Sequence, residues 1–194
     1  MVAANLLSHN AAQSFDSIDD VRYSPGDSVV FETIEDVLKQ PVKNKGPTYI
    51  WKIANYYSYM QRSEIDNLSS IFSPPFYSNE FGYKICIRAY PNGDGSGKKE
   101  FLSLFIVILQ GEYDEIQVWP FNKLVSLSII DQSGRRNVAK FRADPTSPCF
   151  QQPITRKYNV ATGCPRFIQK QKLISGSYLS DNNNGTLFVQ VKFG

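Results

Sequence analysis

Gly82-Tyr83-Lys84-Ile85-Cys86-Ile87-Arg88-Ala89-Tyr90 alternates along its whole length. Successive side chains of a strand point to opposite faces, so Tyr83, Ile85, Ile87 and Ala89 share one face. Lys84, Cys86, Arg88 and Tyr90 share the other. Pro91-Asn92-Gly93-Asp94-Gly95-Ser96-Gly97 follows, a glycine-rich turn that can join two antiparallel strands. Beyond it Leu102-Ser103-Leu104-Phe105-Ile106-Val107-Ile108-Leu109 is almost continuously apolar. A short apolar run of this kind fits a central strand covered on both faces.

Outward from this pair the pattern repeats. Thr48 to Ile53 alternates with Tyr49, Trp51 and Ile53 on one side. Val118 to Phe121 and Leu124 to Ile130 read as strands, the second with Val125, Leu127 and Ile129 on one face. Asp131 to Gly134 is a hairpin turn, and Val138 to Phe141 returns from it. Thr186 to Phe193 closes the series with Leu187, Val189, Val191 and Phe193 inward. Asn55 to Ser70 is mixed and holds a short helix. Many short strands without long intervening helices predict an all-β protein, an antiparallel sandwich or barrel over residues 46–194. Residues 1–45 differ. They carry a Pro25-Gly26 turn and one short helical pattern with Val30, Ile34, Val37 and Leu38 on one face, and Lys39 to Pro47 reads as a linker. The stretch from Ser28 to Leu38 that carries this pattern is too short for the three or four heptads of a coiled coil.

Composition removes several function classes. The 194 residues hold 21 Lys and Arg against 18 Asp and Glu, a net charge of +3, too mild to suggest nucleic-acid binding. Lys98-Lys99 and Arg135-Arg136 sit beside turns and read as solvated. The three cysteines, Cys86, Cys149 and Cys164, form no CxxC unit, so neither a disulfide framework nor a structural zinc site is expected, and free thiols suit a reducing, cytoplasmic compartment. No stretch is long and apolar enough to span a membrane. The sequons at Asn67 and Asn184 weigh little against the cysteines. The single histidine, His9, lies in a polar N-terminal stretch, where it cannot be held as a general base. No catalytic residue, metal or cofactor is therefore expected.

The chain resembles the C-terminal domain of TRAF proteins (tumour necrosis factor receptor-associated factors), a branch of the MATH domains. The resemblance rests on Tyr49 to Ile53, Ile71 to Tyr77, Gly82 to Tyr90, Asn92 to Gly97, Leu102 to Phe105, Trp119 to Asn122, Asp131-Gln132, Phe141-Arg142, Phe150 to Pro153 and Thr162 to Pro165. It implies an antiparallel eight-stranded β-sandwich preceded by a mostly non-β extension. It also implies an intracellular signalling adaptor that grips short acidic peptides from receptor tails by β-strand addition and works as a homotrimer. On that resemblance Arg88, Tyr90 and Asp94 meet the acidic and polar groups of the peptide. Phe105, Leu127, Phe141 and Phe150 form an apolar pocket, Phe141 and Phe150 being better pocket candidates than Phe105, with Arg142 beside them. Thr162, Gly163, Cys164 and Pro165 form the edge along which the peptide lies, where the bare Gly163 would admit its backbone. A plainer reading pairs Arg88 with Asp94 across the hairpin.

One departure stands out. The family branch carries a serine run before the position of Phe150. Here it is Ser147-Pro148-Cys149, and only Ser147 keeps a hydroxyl. That predicts a weaker demand for glutamine in the peptide. Thr33-Ile34-Glu35-Asp36 itself resembles the family's peptide motif and could fill a groove of its own or a neighbouring copy. Two other readings compete: a MATH substrate-recognition module of ubiquitin machinery, and a secreted MATH or jelly-roll binding module.

Overall fold

The computed structural model describes residues 29–66, 68–131, 133–180 and 184–194. His9, the Pro25-Gly26 turn and the Asn67 sequon position lie outside the described residues. Two sheets stack face to face. The first runs β1 (Asn44–Lys45), β4 (Phe76–Tyr77), β5 (Lys84–Tyr90), β6 (Phe101–Leu109), β9 (Thr162–Gln169), with β3 (Ile71–Phe72) also paired to β5. The second runs β2 (Thr48–Ile53), β10 (Leu187–Phe193), β7 (Leu124–Ile130), β8 (Arg136–Arg142). The expected sandwich is present, with three two-residue strands among its ten. Its pairs are antiparallel apart from β1 with β4.

The residue patterns explain the layers. In β2 burial alternates residue by residue, and Tyr49, Trp51 and Ile53 face the core. In β10, Leu187, Val189 and Val191 are fully buried between the sheets. Every residue of β6 is buried, because a strand apolar on both faces needs cover on both. Leu104, Ile106 and Ile108 face the main core. Val107 and Leu109 face outward, where they meet a second cluster.

That second cluster is built by the N-terminal extension. Residues 29–40 cross the outer face of the first sheet as a strap. Phe31 bridges Phe72 of β3 through two main-chain hydrogen bonds, 3.0 and 2.7 Å. Trp51 Nε1 donates to Val29 O at 3.1 Å, and Arg62 holds Glu32 with two bonds of 2.5 and 3.0 Å. The helix here, α1 (Ile34–Leu38), starts later than the apolar pattern allows, because Thr33 caps it: its Oγ1 accepts from Asp36 N at 3.2 Å. Val30 therefore precedes the helix and packs against the main core instead. Ile34 and Val37 press onto Phe72, Cys86, Val107 and Leu109. Burying each of those two side chains stabilises the strap by roughly 1.5–3 kcal/mol.

The mixed stretch after β2 forms α2 (Tyr56–Ile65), and α3 (Lys170–Ser175) follows β9. Val118 to Phe121 is not a strand, contrary to expectation. Pro120 has no N–H to give a ladder. The segment is tied down by side chains instead: Trp119 Nε1 donates to Asp114 O at 2.9 Å, and the Tyr83 hydroxyl donates to Val118 O.

Candidate functional site

The register of the first sheet sets Arg88, Phe105 and Gly163 in one row across β5, β6 and β9. Arg88 and Tyr90 leave β5 on its outer face. The Arg88 guanidinium lies 4.9 Å from the Phe72 ring and 4.7 Å from the Tyr90 ring, and its Nε donates to Ser70 Oγ at 3.0 Å. Stacking between two rings fixes the plane of the fork while leaving the group half-exposed. Among the described residues no ion pair joins Arg88 to Asp94, so the plainer reading does not hold. The Tyr90 and Phe105 rings meet edge to face at 5.5 Å. Burial raises the Tyr90 phenol above its ordinary value, which keeps it neutral and able to donate.

Asp94 stands in the turn that follows. Its N–H donates to Ser103 Oγ at 2.9 Å, and the Ser103 hydroxyl donates to Pro165 O. One fully buried hydroxyl thus joins the hairpin turn to β9 where the register of β9 against β6 shifts. Gly97 is part of the same contact. A Cβ there would sit 1.9 Å from Pro165 O.

The open side of the sandwich lies between β8 and β9. Each pairs with a strand on one side only. At one end Asn137 of β8 closes the gap, its Nδ2 donating to Phe167 O at 3.0 Å. Phe141, Cys149 and Cys164 are half-buried against the main core along this mouth, and Leu127 and Phe150 stand behind them. Leu127 has no exposed surface, and Phe150 stacks on Phe121 with ring centroids 6.0 Å apart. The four expected pocket residues therefore do not converge. Phe105 points to the outer face with Tyr90, whereas Leu127, Phe141 and Phe150 point between the sheets. Arg142, opposite in direction to Phe141, emerges on the outer face of the second sheet and leaves the mouth.

The segment before Phe150 is a 3₁₀ turn, Pro148–Phe150, capped by Ser147, whose Oγ accepts from Cys149 N at 3.3 Å. The one hydroxyl left in the run is thus engaged locally. Asn159, which nothing in the sequence singled out, holds this turn. Its Nδ2 donates to Cys149 O at 3.0 Å and to Gln151 O at 2.7 Å, while its own N–H pairs with Ile108 O at 2.9 Å. A lone Asn in a polar stretch carries no signal until the chain is folded.

Thr162, Gly163, Cys164 and Pro165 form the first half of β9, each half-buried. Gly163 is also required by the strand beside it. A Cβ there would lie 2.3 Å from Leu104 O and 2.6 Å from Phe105 Cα, so the missing side chain admits β6. Burial raises the Cys164 thiol, which makes it a small packing group. Thr33 to Asp36 lies in the strap, wound into α1 on the outer face, and is not extended along the mouth. It walls a cleft of about 490 Å³ shared by Glu32, Glu35, Ser70, Arg88 and Ala161.

The fold is a two-sheet antiparallel sandwich with β8 and β9 at one side and Arg88 held against two rings on the outer face of the first sheet. The family model described as TRAF/meprin, MATH domain matches residues 68–190, and the chain belongs to that family. It is 42% identical over 146 residues to TNF receptor-associated factor 5 of Mus musculus, covering 73% of this chain and 25% of that protein. It is 43% identical over 146 residues to TNF receptor-associated factor 1 of Homo sapiens, covering 74% of this chain and 34% of that one. The solved structure of Notothenia coriiceps TRAF5 superposes with a TM-score of 0.71 at 35% identity, covering 76% of this chain and 73% of that one. The chain thus spans between a quarter and about a third of the length of these two curated relatives. The strap lies ahead of the residues that the family model matches.

Proposed function

We propose that this domain is the peptide-gripping part of a signalling adaptor of the tumour necrosis factor receptor-associated kind. It binds short acidic segments of receptor tails or signalling partners and catalyses nothing. The observation that carries this reading is the row Arg88, Phe105, Gly163, which sets a stacked, half-exposed guanidinium two strands from an unpaired strand edge. A peptide laid along β9 gains main-chain hydrogen bonds from that edge. An apolar side chain of the peptide enters the mouth beside Phe141, Cys149 and Cys164. An acidic side chain farther along meets the Arg88 fork and the Tyr90 hydroxyl. Thr162 to Pro165 form the edge, and Asp94 flanks its far end. Leu127 and Phe150 act from behind, as the floor of the mouth.

The Ser147-Pro148-Cys149 turn bears on specificity. Pro148 offers no N–H and Ser147 already caps its own turn, so a peptide glutamine finds few partners. A small or apolar residue is preferred at that place. Each single-site contact is modest, and trimerisation of the whole protein in the cytoplasm supplies avidity.

Calorimetry with a panel of acidic Pro/Ser/Thr-x-Gln/Glu-x peptides tests the reading. Removing a hydrogen bond to a charged group costs about 1.5–3 kcal/mol, so Arg88→Ala should weaken binding roughly 10- to 150-fold. Tyr90→Ala should weaken it less. A folded wild-type protein that binds none of the peptides, or an Arg88→Ala variant that binds as well as wild type, would sink the proposal.

A further inference from the structure

The outer face of the second sheet is chemically unlike the rest of the surface. Strand alternation and register place fourteen side chains of β2, β10, β7 and β8 on it, of which five are Lys or Arg and none is Asp or Glu. All five cations are exposed. They fall in rows across the sheet. Lys192 and Lys140 share one row, Lys52 and Arg136 share another, and Arg142 lies beyond the first. Between the two rows runs a third that begins at Ile50 and ends at Val138, which are 49% and 46% exposed. Phe188, 37% exposed, sits within the Lys52–Arg136 row.

Among the described residues, the two acids next to these strands in sequence have partners of their own. Asp131, at the end of β7, turns its carboxylate inward onto Ser133 and Arg135, with contacts of 2.6 to 3.0 Å. Asp144, beyond Arg142, accepts from Thr146 N and Oγ1 at 2.9 and 2.7 Å. Arg136 folds over the face itself, its Nη1 donating to Gln190 Oε1 at 2.7 Å. The remaining described residues hold 15 Lys and Arg against 13 Asp and Glu, nearly balanced, so five cations with no acid on one face are a local concentration of positive charge.

We infer that this face docks the domain on a lipid bilayer surface bearing anionic headgroups. Three features favour a bilayer over other anions. The face is broad and open, four strands or about 14 Å across at ordinary strand spacing. Its cations lie in two parallel rows rather than converging on a point, so they meet a sheet of charge and not one phosphate. The row between them is polar and buried at its middle, Gln190 and Ser128, while its ends, Ile50 and Val138, offer branched apolar side chains that can enter the headgroup boundary. A second copy of the same face is repelled by like charge. Arg88 and the β9 edge lie away from it, so docking leaves them free to bind.

The test is co-sedimentation of the intact chain with phosphatidylcholine vesicles, with and without phosphatidylserine. Each Lys or Arg at such a surface contributes about fivefold in partitioning, and the attraction fades once salt shortens the screening length from about 10 Å at 0.1 M. The expected result is binding to the anionic vesicles alone, salt-sensitive, and weakened at least tenfold by Lys140→Glu with Lys192→Glu. Phe188→Ser should weaken binding severalfold without changing its salt dependence. Both sets of changes are on exposed positions, and unaltered thermal unfolding would show that the fold is intact. Equal binding to neutral vesicles would overturn the inference. So would undiminished binding by the double variant, or salt-sensitive capture of duplex nucleic acid by a chain that ignores vesicles.

Discussion

The two outer faces of the sandwich are opposites. That of the first sheet is apolar where Phe72, Cys86, Val107 and Leu109 emerge, and it is covered by Ile34 and Val37 of the strap. That of the second is basic, and its five cations are exposed. The difference follows from the strands. β6 is apolar at nearly every position and must be covered twice, whereas β8 alternates exposed with half-buried residues and needs cover once. The cover for β6 comes from a stretch whose composition reads as helix and linker, because its few apolar side chains are enough only when a ready apolar face lies beneath them.

The largest expected effect is on the covered face. Val37 is fully buried, so Val37→Asp places an unpaired carboxylate against apolar surface and should cost about 3 kcal/mol or more, read by urea unfolding. The mirror experiment on the basic face, Lys140→Asp, should stay within about 0.5 kcal/mol. Equal losses from the two changes would erase the contrast between the faces. A chemical probe sharpens the same point. Burial raises the Cys86 thiol and hides it under the strap, so maleimide should modify it far more slowly than Cys149 or Cys164. In the Val37→Asp protein Cys86 should become reactive. Prompt labelling of Cys86 in the wild type would mean that the cover is not closed.

A smaller effect is expected at the seam between the faces. Gly163→Ala drives a methyl group into the β6 backbone and should destabilise by roughly 1–3 kcal/mol by thermal or denaturant melting. A smaller effect again is expected at the strap's own surface pair. Glu32 and Arg62 are 43% and 39% exposed in their side chains, so Glu32→Gln should change stability by less than about 1 kcal/mol.

The strands that alternate cleanly, Thr48 to Ile53, Lys84 to Tyr90 and Leu187 to Phe193, were legible because burial on one face leaves a period of two. The continuous run in β6 was legible as a central strand for the complementary reason. What escaped depends on contacts distant in sequence. Phe105 and Phe141 look alike as letters, yet register turns one outward onto Tyr90 and the other inward toward the core. Asn159 is ordinary until the folded chain turns the carbonyls of Cys149 and Gln151 toward it. The basic face escaped for a further reason. A net charge averages over the molecule, while pairing four strands in register collects cations that are scattered over more than a hundred positions. Arg88, Tyr90 and Asp94 were placed by resemblance. The stacking of Arg88 between Phe72 and Tyr90 needed the folded chain.

The shifted register of β9 has a meaning for solubility. An open strand edge is a template on which other copies can polymerise, and proteins blunt such edges with irregularities, prolines and charges. β9 carries all three within a few residues: the irregular register opposite Ser103, Pro165 and the exposed Arg166. The regular part before Pro165 is only long enough for a short guest, and a second copy of β9 laid against it would lose pairing after a few residues. The same irregularity that positions the hairpin turn therefore protects the domain from growing into a fibre.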